Sequence, residues 1–274
     1  MRRLKREVLI RCLLLLLIVS MANSLQAANL SREQRISEGL EARLSAGSAV
    51  WLEAESVRFL AIHQASSSSV RYGGAILLHD SNSHADWHEV INPLRRHLTK
   101  RGWETLSLQL PLGNPPKPSN GDSLLSLSRP RIQAAVSFLK QRQVEETVLI
   151  GHGLGGAMAM DFIVQQGEQI KGLVTIGVSP ISERGAEPLG QILQGRQTSI
   201  LDLYGSLDLP QVIAGARERH AVAAGSEGDR YRQERVSGAD HFFSGMQDEL
   251  NNRVAAWLRQ AARQWQTTQP PSTP

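Results

Sequence analysis

The sequence predicts an α/β fold: one domain with a mostly parallel sheet carrying helices on both faces. Three observations predict it. Short continuous apolar runs such as Gly73–Leu78 have the length of strands buried on both sides. Segments with apolar residues at helical spacing separate those runs. One run, Val148–Ile150, passes straight into a glycine-rich turn at Gly151–Gly156 and then a helix.

Taken in order, Ser31 with Gln34 forms a capping box that opens a helix to about Leu44. Val50–Ala54 and Val57–Ile62 read as a hairpin across a two-residue turn. After the Gly73–Leu78 strand, Trp87, Val90, Ile91, Leu94 and Leu98 recur on one helical face up to Gly102. Thr105–Leu110 is a strand and Pro111–Gly121 a loop. Ser128-Arg129-Pro130 begins the next helix, because proline suits a first helical turn. The strand at Val148 and a helix from Leu154 to about Gln165 follow. Strands at Leu173–Val178, Ile200–Tyr204 and Tyr231–Val236 then alternate with a helix near Val212–Ala223. A last helix, Gln247 to about Gln266, buries Leu250, Val254, Trp257 and Leu258.

The N-terminus reads as a secretory signal peptide over residues 1–27. Met1–Arg11 is basic, Cys12–Ala22 is a short apolar run, and Leu25-Gln26-Ala27 offers a small-residue cleavage site. The mature domain is expected over 28–266, with a disordered Gln/Thr/Pro/Ser-rich tail at 267–274, in a periplasmic or secreted protein. Five of the 30 basic residues and one of the 26 acidic residues lie in 1–28, which leaves 25 of each. The pI near 9.6 therefore belongs to the leader and gives no case for a nucleic-acid or membrane partner beyond an uncleaved anchor. The single cysteine, Cys12, also lies in the leader, so the mature chain has no thiol chemistry.

The strand–turn–helix at Gly151-His152-Gly153-Leu154-Gly155 has the layout of a nucleophile elbow, small–x–nucleophile–x–small. Its apex is Gly153, which carries no side chain. Gly151-x-Gly153-x-x-Gly156 also fits a dinucleotide fingerprint, but the next strand ends Thr175-Ile176-Gly177-Val178 without the carboxylate that would hold a ribose. A third reading is that the glycines only pack a helix on a strand.

Downstream spacing favours the first. Asp208 follows a late strand in Gly205-Ser206-Leu207-Asp208, and His241 lies in Gly238-Ala239-Asp240-His241-Phe242-Phe243 before the last helix. That is the chain order nucleophile, acid, histidine. On these motifs the chain resembles the α/β-hydrolase superfamily from about Val50 to Ala262. It looks more closely like an uncharacterised family of exported bacterial hydrolase-like proteins, through His79-Asp80, Asn92-Pro93-Leu94-Arg95, Leu106–Pro111 and Asp202–Ser206. The resemblance implies the α/β-hydrolase fold with a minimal cap or none, and an oxyanion hole from the amides of Leu154 and the Asp80 loop. It puts Asp208 and His241 at the acid and base positions, converging beside Gly153.

No cofactor is expected. His79, His84, Asp86 and His88 cross from a loop into a helix and do not make a metal site. Ser81, Ser179 and Ser244 are candidates for a relocated nucleophile. Two functions stay open. One is a non-standard or inactive hydrolase that binds a small molecule or envelope component. The other is an active ester hydrolase using a relocated nucleophile or water activated by His241. On the first, Gly153→Ser is expected to restore a hydroxyl near His241 and Leu154.

Overall fold

The computed structural model describes residues 30–113, 118–178, 185–224 and 230–268. The leader at 1–27, Ser179, and positions 269–274 of the expected tail lie outside the described residues. One eight-stranded sheet has the order β1-β2-β4-β3-β5-β6-β7-β8. The strands are β1 (Ser48–Ala54), β2 (Val57–Gln64), β3 (Gly73–Leu78), β4 (Trp103–Leu108), β5 (Thr147–His152), β6 (Ile170–Ile176), β7 (Ser199–Gly205) and β8 (Tyr231–Val236). β1, β2 and β4 pair antiparallel; β4, β3 and β5 to β8 pair parallel. The β1–β2 turn places Glu55 and Ser56 at φ 48° and 66°, the two left-handed positions of a tight hairpin.

The apolar runs are buried on both faces because alternate side chains enter different cores. Ile76 and Leu78 of β3 join one core, while Ala75 and Leu77 join the other. The first core lies under α3 (Pro118–Gln141), α4 (Leu154–Gln166) and α5 (Glu187–Gly195). The second lies under α2 (Ile91–Thr99) and α7 (Gln247–Thr268). The α6 helix (Pro210–Ala224) packs Val212 and Ala216 on Tyr204, and α1, residues 30–41, covers β1 and β2. Among the described residues no helix is long and apolar enough to cross a membrane.

Several elements differ from the sequence reading. The α2 helix starts at Ile91, not near Trp87, because Pro93 has no N–H for the Glu89 carbonyl and its ring would crowd it. The α3 helix starts at Pro118 and keeps Pro130 inside it. Leu124 and Leu125 bury in the same core as Met158, which recruits the turns before Pro130 into the helix. Ser128 there donates its hydroxyl to the Leu125 carbonyl at 2.7 Å. The α5 helix stands between β6 and β7, where the sequence reading places no helix; its Leu189, Ile192 and Leu193 pack into the core beside α4 and α6. The α7 helix also runs to Thr268, past the expected start of the tail.

Candidate active site

The site forms where β3, β5, β6, β7 and β8 end on one edge of the sheet. Gly153 caps α4 at φ 51°, ψ −117°, a conformation that glycine adopts without the clash of a Cβ. Gly151 and Gly155 let strand and helix meet closely: a Cβ on Gly151 would lie 2.4 Å from the Gly155 carbonyl, and one on Gly155 would lie 2.3 Å from the Leu78 carbonyl.

Asp208 is buried one turn beyond β7. Its Oδ1 accepts the Leu209 N–H at 2.8 Å and its Oδ2 the Gly205 N–H at 3.4 Å. His241, in the loop after β8, puts Nδ1 2.7 Å from Asp208 Oδ1. The close approach depends on Gly177, at the end of β6 with φ +55°, where a Cβ would stand 3.0 Å from Asp208 Oδ2 and 3.1 Å from His241 Nδ1.

The other nitrogen, Nε2, does not face an empty apex. It lies 3.2 Å from Oδ2 of Asp80, whose Oδ1 accepts the Leu154 N–H at 2.6 Å. The Asp80 carboxylate fills the place of an apex side chain: a Cβ on Gly153 would stand 2.0 Å from Asp80 Oδ1 and 2.1 Å from its Cγ. Asp80 thus enters the site through its carboxylate, and the oxyanion-hole amide of Leu154 is already taken. This also corrects the expectation for Gly153→Ser, whose hydroxyl has no space while Asp80 stays.

His241 carries a proton on both nitrogens, because each faces a carboxylate acceptor. Burial opposes that charge, but the hydrogen bonds to Asp208 and Asp80 outweigh it and push its pKa up to about 9. Burial alone would raise the Asp80 carboxyl. The His241 hydrogen bond, the nearby His152 and the Leu154 amide overcome this and hold it below the usual carboxylate range.

Two further histidines hold the frame. His79 donates from Nδ1 to the Asp80 carbonyl at 2.7 Å and accepts the Leu110 N–H on Nε2 at 3.0 Å, which fixes the loop that carries Asp80. Burial drives its pKa down to about 4, so it is neutral. His152 donates from Nε2 to the His241 carbonyl at 2.9 Å, with its ring centroid 4.8 Å from that of His241. Phe242 packs edge-on against His241, with centroids 5.1 Å apart. Neither frame histidine was legible as such, since only the fold sets Nδ1 of His79 against its own neighbour's carbonyl.

Of the serines, Ser81 lies beside the site, its hydroxyl 3.4 Å from Asp80 Oδ1, while Ser244 bonds Glu89 at 3.3 Å. His79 uses both ring nitrogens on protein groups, and Asp86 is tied to Arg95 and Asn92. Among the described residues no cluster of three or more His, Cys, Asp or Glu converges as for a metal. A narrow cleft opens beside Asp80, lined by Arg32, His79, Ser81, Leu110, Leu154 and Met158.

Solved structures share this architecture. A putative α/β hydrolase from Agrobacterium tumefaciens, ATU1826, superposes with a TM-score of 0.63 at 17% identity, over 82% of this chain and 100% of that one. XC6422 from Xanthomonas campestris, an α/β serine hydrolase without a lid, superposes with a TM-score of 0.58 at 16% identity, over 84% and 98%. These likenesses establish the α/β-hydrolase fold. Protein ABHD14A from Rattus norvegicus is 30% identical over 134 residues, 48% of this chain and 52% of that protein, so the chain spans about half the length of this curated relative. A family model described as Protein of unknown function (DUF3530) matches residues 19–129 and 123–260, and the chain belongs to that family.

Proposed function

We propose that the chain is an exported α/β-hydrolase-fold protein that has given up serine chemistry: a non-standard hydrolase-like protein that binds a small molecule beside Asp80. One observation carries this reading. The Asp80 carboxylate occupies the apex above Gly153 and engages both the Leu154 amide and His241 Nε2, the two groups a serine mechanism needs free. Export to the periplasm or beyond rests on the basic–apolar–small pattern of residues 1–27. Ester hydrolysis by water activated at His241 fits less well. A doubly protonated imidazole has no lone pair to take the water's proton, and Asp80 stands where that water would sit.

The test is to treat purified protein, cleaved near Ala27, with a fluorophosphonate probe and a panel of p-nitrophenyl esters. No serine labelling and no turnover above buffer are expected. A labelled serine, or ester turnover lost in His241→Gln, would overturn the reading.

A further inference from the structure

We infer that a groove between the turn after α2 and the helix α7 binds the phosphate group of a phosphomonoester. The inference is independent of the Asp80 site. The groove lies at the edge of the sheet where β3 and β4 begin, whereas Asp80 follows the end of β3. Arg101 lines it from the turn and Arg259 from α7. Among the described residues neither arginine has a carboxylate within ion-pair distance, nor does Lys100 beside them. Their charge is felt at His97, whose ring nitrogen Nε2 accepts the Arg101 Nε–H at 3.3 Å. Burial first, then the cations of Arg101 and Lys100, hold His97 below its ordinary pKa against the opposing pull of Asp248.

The wall facing α7 is built in advance of any ligand. Tyr72 donates its N–H to the Gly102 carbonyl at 2.8 Å and Ser67 to the Thr99 carbonyl at 3.0 Å, which pins the segment before β3 to the turn before β4. The Tyr72 ring lies against Trp103, with centroids 5.9 Å apart. Gly102, at φ +95°, permits that approach, since a Cβ there would stand 2.8 Å from Tyr72 Cδ2 and 2.8 Å from the Val70 carbonyl. On α7 the lining positions are Ala255 and Ala256, whose short side chains leave about 360 Å³ open. That is enough for a small molecule, whose sites run from roughly 300 Å³ upward.

Charge and donor count select the ligand. A phosphomonoester carries close to two negative charges at neutral pH and presents three terminal oxygens. Two guanidinium groups on separate elements match that charge, and each can pair two oxygens at once. A carboxylate has one charge and two oxygens, which a single guanidinium satisfies, so the second arginine would stay without a counter-charge. The groove adds neutral donors. The Tyr72 hydroxyl and the Asn252 amide have no hydrogen-bond partner among the described residues. Ser68 accepts the Val70 N–H at 3.2 Å, which leaves its own O–H to donate. A soluble phosphate ester and a lipid headgroup present this same group, and they differ only in what it is attached to.

The probes are glycerol 3-phosphate and phosphatidylcholine vesicles doped with phosphatidic acid. Calorimetric titration of the wild type at low ionic strength should show one site for glycerol 3-phosphate and none for acetate at the same concentration. Arg101→Gln and Arg259→Gln should each weaken binding about tenfold or more, the scale of a lost charge-assisted pair. Both arginines are exposed, so the variants should keep the wild-type Tm. Arg235→Gln, an exposed position on β8, should leave binding unchanged. Binding to the doped vesicles alone, lost in the same two variants, would assign the phosphate to a lipid headgroup. Binding of neither probe, equal binding of acetate, or the same loss in Arg235→Gln would overturn the inference. The wild-type titration needs no variant to fold.

Discussion

Asp80 and Gly153, 73 positions apart, share one volume: the carboxylate of the first fills the space that a side chain on the second would need, with Oδ1 2.0 Å and Oδ2 2.6 Å from the place of its Cβ. The exchange of roles is electrostatic as well as steric. A serine presents a neutral donor to histidine, whereas Asp80 presents an acceptor and turns His241 into a cation between two carboxylates.

The first prediction concerns pH. His241 has a folded pKa of about 9 against an ordinary 6.5, so its stabilisation is full below 6.5 and is lost as pH rises through 9. His79 is shifted the other way, to about 4, so its contribution is full above 6.5 and is lost as pH falls toward 4. Burial lowers His152 too and adds to the acid limb. Urea stability should peak near pH 6.5, and His241→Gln should flatten the alkaline limb.

Gly177→Ala should disturb the acid–histidine pair. Its Cβ would press on Asp208 Oδ2 at 3.0 Å and on His241 Cε1 at 3.2 Å, from a backbone at φ +55°. We expect a loss of about 1 kcal/mol or more in urea denaturation, from the left-handed φ and the crowding together. The His241 pKa, followed by NMR, should fall as the pair is pushed apart.

Arg131 anchors α1 to the body of the fold. It donates to Glu33 Oε1 at 2.5 Å and Oε2 at 3.2 Å, and to the Gln109 carbonyl at 2.8 Å, all buried. Arg131→Ala leaves the Glu33 carboxylate unpaired in the interior and should cost about 3–5 kcal/mol. Arg131→Met with Glu33→Leu should cost less, which equilibrium unfolding of both variants can measure.

Much of this arrangement is legible in the sequence because strand ends are. An apolar run closed by Gly-Ser-Leu-Asp puts Asp208 on the sheet edge where the elbow opens, and the loop before the last helix brings His241 to it. The Asp80 loop is placed by the same logic at the end of β3. What spacing cannot show is whether a loop residue offers its amide or its side chain, and that choice depends on the vacancy left by Gly153, on a strand paired beside β3 in space but distant in sequence. The start of α3 escaped for a related reason. Pro130 is a strong local signal for a helix start, and burial of Leu124 and Leu125 overrides it.

The most direct test is a double-mutant cycle on Asp80 and Gly153. Gly153→Ser alone should be strongly destabilised and unreactive with a fluorophosphonate, because Asp80 holds its space. Adding Asp80→Ala should return part of that stability, with a coupling of about 1–3 kcal/mol by urea denaturation, and should let the serine label. Additive stability changes, or labelling of Gly153→Ser with Asp80 in place, would contradict the account.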